Sequence, residues 1–462
     1  MKRCALVIAI LMAGTVCGAE FKAGFGRRQI TPPLPIWLAG FAARTHPAES
    51  VAHDLWTKAL AVEDARGEKL IVITVETATM PRTMTDMVAK RVMHKQGIDR
   101  SHLLINMSHT HSGPALEWPS NADREMIHRI EAYRNKLMDS MAEAAAAAVA
   151  DLQPAQISYG GGKVGFSHNR REPVPGGGFR FGMDPNGPVD QTVPVLQITG
   201  ASGKLRGVLF GLSCHPSALT PTSYVVSGDY SGIAQADWEK DHPGATALFL
   251  QLAGGDQTTY PRGTMELAER YGKELSIEVE RISRSQMKPV HGPMKIAMLT
   301  TELPFAPFSL EQFEQQAKDS DALLRKHAER MLALYASGEP PLPRLPYTMQ
   351  AIQFGKDLTV LAMNGEIVAE YSLRVKREYG AEGMIVAGYS NDRPCYIPSA
   401  RILKEGGYEA RDSILMTSLP GPLGGDVEET IFAGIRELMR AVGRPQSFTQ
   451  RTEKALPFSP PL

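Results

Sequence analysis

The run Leu103-Leu104-Ile105-Asn106-Met107-Ser108-His109-Thr110-His111-Ser112-Gly113-Pro114 holds the densest chemistry in the chain. An apolar strand leads straight into His-Thr-His and a Gly-Pro turn. Strand side chains alternate, so His109 and His111 are expected on one side of a strand end. Two imidazoles on one face suit a metal ion, or one ligand beside one acid/base group. A second apolar run, Val208 to Leu212, ends at Ser213-Cys214-His215-Pro216. His215 is there a further ligand, or a core histidine satisfied by a backbone carbonyl. A third run, Val360 to Met363, ends at Asn364-Gly365-Glu366, and a fourth, Met384 to Ala387, is followed by Asn391 and Tyr396. The mouths of strands are where α/β proteins build sites, so repeated polar endings form a pattern. Three other segments carry weaker signals. Ala253-Gly254-Gly255-Asp256-Gln257-Thr258-Thr259 is a glycine-rich site loop or a plain strand-helix turn, and it lacks the lysine of a phosphate loop. Ser167-His168-Asn169-Arg170-Arg171 brings a cation to a site or lies in solvent. His53-Asp54 is an acid/base pair or a local turn contact.

These residues need a scaffold, and the pattern supplies one. Lys58 to Asp64 and Lys69 to Val75 read as a hairpin around Ala65-Arg66-Gly67-Glu68. Val193 to Ile198, Leu205 to Leu212, Ala247 to Leu252 and Leu358 to Met363 read as strands. Helices are expected over Pro81 to Gln96, Asn121 to Leu152, Tyr230 to Lys240, Thr264 to Ile282 and Leu310 to Tyr335. The alanines at 144–148 imply close packing of the second helix against a neighbour, since Ala adds no bulk. Gly338 to Pro346 reads as a surface crossover rather than a domain boundary. No internal repeat of the solenoid kind is visible. The mixture predicts an α/β fold, a layered mixed β-sheet with flanking helices in a single large domain.

With 43% hydrophobic and 22% charged residues, the chain is neither disordered nor a disulfide scaffold. Its 50 basic and 50 acidic side chains argue against nucleic acid as a partner, which would demand a basic surplus. Lys2 and Arg3, the apolar stretch Ala5 to Val16 and the small Cys17-Gly18-Ala19 predict a cleavable signal peptide over residues 1–19. No later stretch predicts a transmembrane segment, so the protein is expected to be secreted or periplasmic. Export permits a disulfide between Cys214 and Cys395; the alternative is two buried thiols. Residues 446–462 read as a loose tail.

In this order the residues resemble the catalytic domain of the neutral/alkaline, non-lysosomal ceramidase family. The matching stretches are Ala23-Gly24-Phe25-Gly26 with Ile30-Thr31-Pro32, His53-Asp54-Leu55-Trp56, Ser108-His109-Thr110-His111-Ser112-Gly113-Pro114, Asn169-Arg170, His215, Ser227-Gly228-Asp229, Gly255-Asp256, Gly365-Glu366, Asn391 with Tyr396, and Tyr408-Glu409. The Ser-His-Thr-His-Ser-Gly-Pro run is the specific one; the rest persuade by their order. The resemblance implies a catalytic domain over residues 20–445 and a Zn2+ site. His109, His215, Glu366 and Tyr396 would be the ligands. His111 would sit beside the zinc-bound water, and Arg170 and Tyr408 would face the substrate carbonyl. Zinc with an open position lowers the pKa of bound water to ~7.

The chain also departs from that family. Thr258 stands where the family has its catalytic serine, and Thr259 replaces the proline after it. Arg393-Pro394-Cys395 replaces small and aromatic residues, and the chain stops before the family's immunoglobulin-like domain. The first expectation is therefore an exported zinc-dependent amidohydrolase taking a ceramide-like lipid or other N-acyl substrate. Because of Thr258, a zinc hydrolase of a different amide or an ester is the second. A secreted binding protein with structural zinc is the third.

Overall fold

The hairpin expected around Ala65–Glu68 forms, and its strands split their side chains between two cores. The computed structural model describes residues 20–119 and 122–447. Its main sheet is built from β1 (Phe21–Gln29), β2 (Trp56–Asp64), β3 (Lys69–Val75), β4 (Leu103–Met107), β5 (Gln153–Lys163), β6 (Thr192–Gly200), β7 (Leu205–Leu212) and β8 (Thr246–Gln251). They lie in the order β8-β7-β6-β5-β1-β2-β3-β4, and Lys288–Val290 adds to β5 off this path. A second sheet holds β9 (Met294–Pro304), β10 (Arg344–Phe354), β11 (Leu358–Met363) and β12 (Met384–Ala387) in chain order. Most pairs are antiparallel, but β3 with β4, β7 with β8, and β11 with β12 run parallel.

Alternation explains the layering. Leu60, Val62, Val72 and Leu104 meet Ile352, Val360 and Ile385 of the second sheet in one cluster. Ala59, Ala61, Ile71, Ile73 and Ile105 point the other way, under helices. The result is two sheets face to face with helices outside. The helices are α1 (Arg82–Gln96), α2 (Arg124–Ala150), α3 (Asp229–Asp241), α4 (Met265–Ser283), α5 (Leu310–Gln316), α6 (Ala322–Ala336), α7 (Ala369–Tyr379) and α8 (Val427–Val442), with a short turn of helix at Ala400–Glu405. The alanines of α2 do lie against a strand. A Cβ on Gly24 would fall 2.2 Å from the Ala148 carbonyl oxygen, and one on Gly26 2.1 Å from that of Ala144. Glycine on β1 and alanine on α2 together let the two backbones touch.

One expected helix is two. Leu310 to Tyr335 breaks between α5 and α6, because Asp321 caps a new start and accepts from the Leu323 and Leu324 N–H groups. The segment expected as a signal peptide lies outside the described residues, as do residues 448–462 of the expected tail. No helix among the described residues is long and apolar enough to cross a membrane. Cys214 and Cys395 are free and buried, and burial pushes each thiol up to about 12. His53 and Asp54 do not pair: His53 meets Ser227, and Asp54 accepts from Gln29 and Thr31.

Candidate metal centre

The carboxyl ends of β4, β7, β8, β11 and β12 meet at one end of the sandwich. Asn106 stitches them together. Its amide donates to the Gly388 carbonyl at 2.8 Å and its oxygen accepts from the Gln251 N–H at 2.8 Å. Asn391 N–H donates to the Ile105 carbonyl, which joins the two sheets' ends directly.

β4 stops at Met107, so His109 and His111 stand beyond the strand and its alternation does not orient them. His109 instead takes a left-handed backbone, φ +65°. That costs energy in a non-glycine residue, and such strain gathers at functional sites. Tyr389 and Asn391, on the facing segment, share it with φ +51° and +64°. The turn nevertheless brings the imidazoles together, Nε2 to Nε2, at 3.1 Å. His215 follows β7. Its Nδ1 lies 2.8 Å from the Gly254 carbonyl oxygen and 3.0 Å from that of Gln257. Glu366 and Tyr396 open two short strands that pair in parallel with these residues opposite each other. The carboxylate and the phenol therefore lie side by side.

The donor atoms converge. Glu366 Oε2 is 3.2 Å from His109 Nε2 and 3.1 Å from His215 Nε2. Tyr396 Oη is 3.2 Å from His215 Nε2. Both Nδ1 atoms face backbone carbonyls, His109 meeting that of Ala78, so in the neutral rings the proton sits on Nδ1 and Nε2 offers a lone pair. Two lone pairs then point at one carboxylate oxygen with no hydrogen between them. Such a cluster asks for a cation. Two imidazoles, a carboxylate and a phenol, all buried, are a donor set that fits a divalent metal of borderline softness. Ligand atoms of His109, His111 and His215 lie within 4.8 Å of one another.

Electrostatics agrees. Burial, with the charge of Arg170 nearby, lowers His215 to about 4. Burial and its histidine neighbours hold His111 well below the ordinary imidazole value, and its Nδ1 has no partner. Burial opposes the charge on Glu366. Positive charge at the His109 and His215 rings, whether a proton or a cation held between them, and the Arg393 guanidinium outweigh it and keep the carboxyl well below its usual range.

Arg170, on the strand Ser167–Pro173, is buried rather than solvated. Its Nε donates to Glu409 at 2.9 Å and its Nη2 to Tyr396 Oη at 3.0 Å, and its Nη1 lies 3.1 Å from His215 Nε2. Tyr408 packs edge-on to Tyr396, with ring centroids 5.4 Å apart. His109, His111, Glu366, Tyr396 and Tyr408 line a cavity of about 1020 Å³. Thr258 is brought less close. Its backbone bridges to His215, but its hydroxyl meets Ser217 Oγ at 3.1 Å rather than the donor set.

Sequence reasoning missed several members. Arg393 Nη1 holds Glu366 Oε1 at 2.7 Å. Tyr389 donates to Glu366 Oε2 at 3.4 Å. Glu409 bridges Arg170 and Arg171. Gly40 has no room for a side chain, since a Cβ would stand 2.5 Å from His111 Cγ. Of these, Glu409 and Arg393 lie in segments that the sequence marks, Tyr408-Glu409 and Arg393-Pro394-Cys395.

An αββα sandwich with a buried histidine–carboxylate–phenol cluster at its strand ends defines a candidate metal centre of the kind hydrolases use. The family model described as neutral/alkaline non-lysosomal ceramidase, N-terminal, matches residues 21–260. Neutral ceramidase of Pseudomonas aeruginosa is 23% identical over 267 residues, covering 54% of this chain and 39% of that protein. Neutral ceramidase of Drosophila melanogaster is 27% identical over 113 residues, 23% of this chain and 16% of that protein. The crystal structure of the Pseudomonas aeruginosa protein superposes with a TM-score of 0.71 at 18% identity, over 92% of this chain and 75% of that one. The sequence matches thus span well under half the length of these relatives, and the structural match speaks for the fold. The chain belongs to the neutral/alkaline non-lysosomal ceramidase family.

Proposed function

We propose that this protein is an exported zinc-dependent hydrolase that cleaves the amide bond of an N-acyl compound, with ceramide the first substrate to test. The single observation that carries this is the convergence of His109 Nε2 and His215 Nε2 on Glu366 Oε2, at 3.2 and 3.1 Å, beside a cavity that His109 and Glu366 line, in a chain of this family. His109, His215, Glu366 and Tyr396 would hold the metal. Zinc supplies Lewis acidity there, polarising a carbonyl and making water a stronger acid.

The chain's own groups complete the chemistry. His111, kept neutral by burial, can accept a proton at Nε2 as water attacks the acyl carbon. Arg170, fixed by Glu409, and Tyr408 can donate to the oxygen that gains charge. The proton then passes to the leaving nitrogen. Thr258, with its hydroxyl on Ser217, is not needed for this route. The second reading, a hydrolase of another amide or an ester, rests on Thr258 standing where the family has its serine. The proposal takes residues 20–445 as one catalytic domain following a cleaved signal.

Metal analysis of purified protein and a panel of fluorescent ceramide, short acyl-amides and esters test this. The expected result is about one zinc per chain, lost with activity in His109→Ala. Protein without zinc, and His109→Ala with unchanged turnover, would end the proposal. Zinc without turnover on any substrate would mean a structural ion.

A further inference from the structure

Arg393 belongs to the stretch Arg393-Pro394-Cys395 that departs from the family's small and aromatic residues, and it lines the same cavity as the donor set. One of its N–H groups is committed, Nη1 to Glu366 Oε1 at 2.7 Å. Its Nε is buried without a partner, and its Nη2 meets no protein acceptor among the described residues. The side chain is 27% exposed, on the cavity. A guanidinium half used by the protein, beside the reacting centre, is a receptor for a second anion. The surrounding charges leave it unanswered. Glu366 is shared with two histidines. Asp392 lies 3.9 Å from Arg82, which lines the cavity too. Arg330, a third guanidinium on the wall, spends its bonds on the carbonyls of Leu415 and Thr417. The same cavity is also lined by exposed apolar side chains, Leu342 and Met416, 52% and 46% exposed. The cavity wall carries three guanidiniums, of Arg82, Arg330 and Arg393, three carboxylates, of Glu117, Glu366 and Asp392, and apolar side chains.

We infer that Arg393 binds an anionic group on the amine side of the substrate, so that the preferred substrate class is an N-acyl amino acid rather than an uncharged N-acyl lipid. This deepens the hydrolase reading and rests on it. The reaction stays a balanced hydrolysis: water oxygen bonds the acyl carbon, the C–N bond breaks, and the amino acid leaves with the proton. A carboxylate can accept from Arg393 Nη2, since Nη1 is held by Glu366 and Nε is closed off from the cavity. Leu342 and Met416 offer apolar surface for the acyl chain.

Two measurements test this separately. The first is binding, by calorimetry on the zinc-loaded protein, of N-(dodecylsulfonyl)glycine and its hindered tert-butyl ester, chosen because the sulfonamide bond resists amide hydrolysis and the bulky ester resists ester hydrolysis. The acid should bind about tenfold more tightly than the ester or better, the value of one charge-assisted pair. Arg393→Gln should erase that ratio and Arg393→Lys should keep part of it. Equal binding of acid and ester by the wild type, or a ratio that survives Arg393→Gln, overturns the inference. Should Arg393→Gln fail to fold, the wild-type ratio and its narrowing in Arg393→Lys decide. The second is turnover of N-dodecanoylglycine, N-dodecanoylethanolamine and fluorescent ceramide. A preference for the glycine amide, expressed in KM, supports the inference, and a preference for ceramide overturns it. Turnover of none, with the binding ratio intact, sinks the hydrolase reading and leaves the anion site standing.

Discussion

Glu409→Gln is the sharpest test of how the site is held. Glu409 Oε1 takes Arg170 Nε at 2.9 Å and its Oε2 takes Arg171 Nη1 at 2.7 Å, with all three side chains 7% exposed or less. Removing the charge while keeping the shape leaves two buried guanidiniums with their shared counterion gone. Breaking a buried pair in this way costs about 3–5 kcal/mol. The pH dependence has a definite sign. Burial works against the Glu409 charge, but Arg170 and Arg171 outweigh it and hold the carboxyl below its usual range. A lowered folded value means that the stabilisation is present above the unfolded value of 4.5 and is lost as pH falls through the folded value. The gap between wild type and Glu409→Gln should therefore be wide at neutral pH and shrink in acid. Urea unfolding, followed by circular dichroism and tryptophan fluorescence, measures it. Adding Arg171→Met should recover part of the loss, since one orphaned charge is removed. A variant within about 1 kcal/mol of wild type, or a gap that does not shrink in acid, would refute the argument that this carboxylate holds Arg170.

Two further outcomes follow from the geometry. Gly40→Ala forces a Cβ to within 2.5 Å of His111 Cγ at φ +92°, so about 1–3 kcal/mol of stability should go and the His111 imidazole NMR signals should move; unchanged melting and unchanged signals would show that the strand-free loop yields. Glu76 is raised to about 7, burial outweighing the nearby Lys58 charge, so the wild type should lose stability as pH rises from its unfolded value of 4.5 through that range. Glu76→Gln, which cannot ionise, should gain on it by up to roughly 3 kcal/mol across that window, and parallel pH–stability curves would contradict the assignment.

Much of the scaffold was legible in the chain. The bounds of β3, β4 and β7 coincide with apolar runs, because strands buried on both faces need apolar side chains at every position. The histidines, Glu366 and Tyr396 stood out because each follows such a run. The break before Asp321 was misread because apolar spacing continues through it, while the cap that restarts the helix is a single side chain. Other features had no local signature at all. The left-handed turn at His109, the grip of Arg393 on Glu366 and the clamp of Glu409 on Arg170 depend on which distant strands meet. Asn391 bonds to Ile105 and Leu252 bridges to Ala387, across stretches of chain that no periodicity spans. Alternation and helical spacing are properties of neighbours along the backbone, so the sequence by itself determined the elements and the residue types at their ends. Which ends share a cavity was decided by packing two sheets face to face, and only the tertiary structure carries that choice.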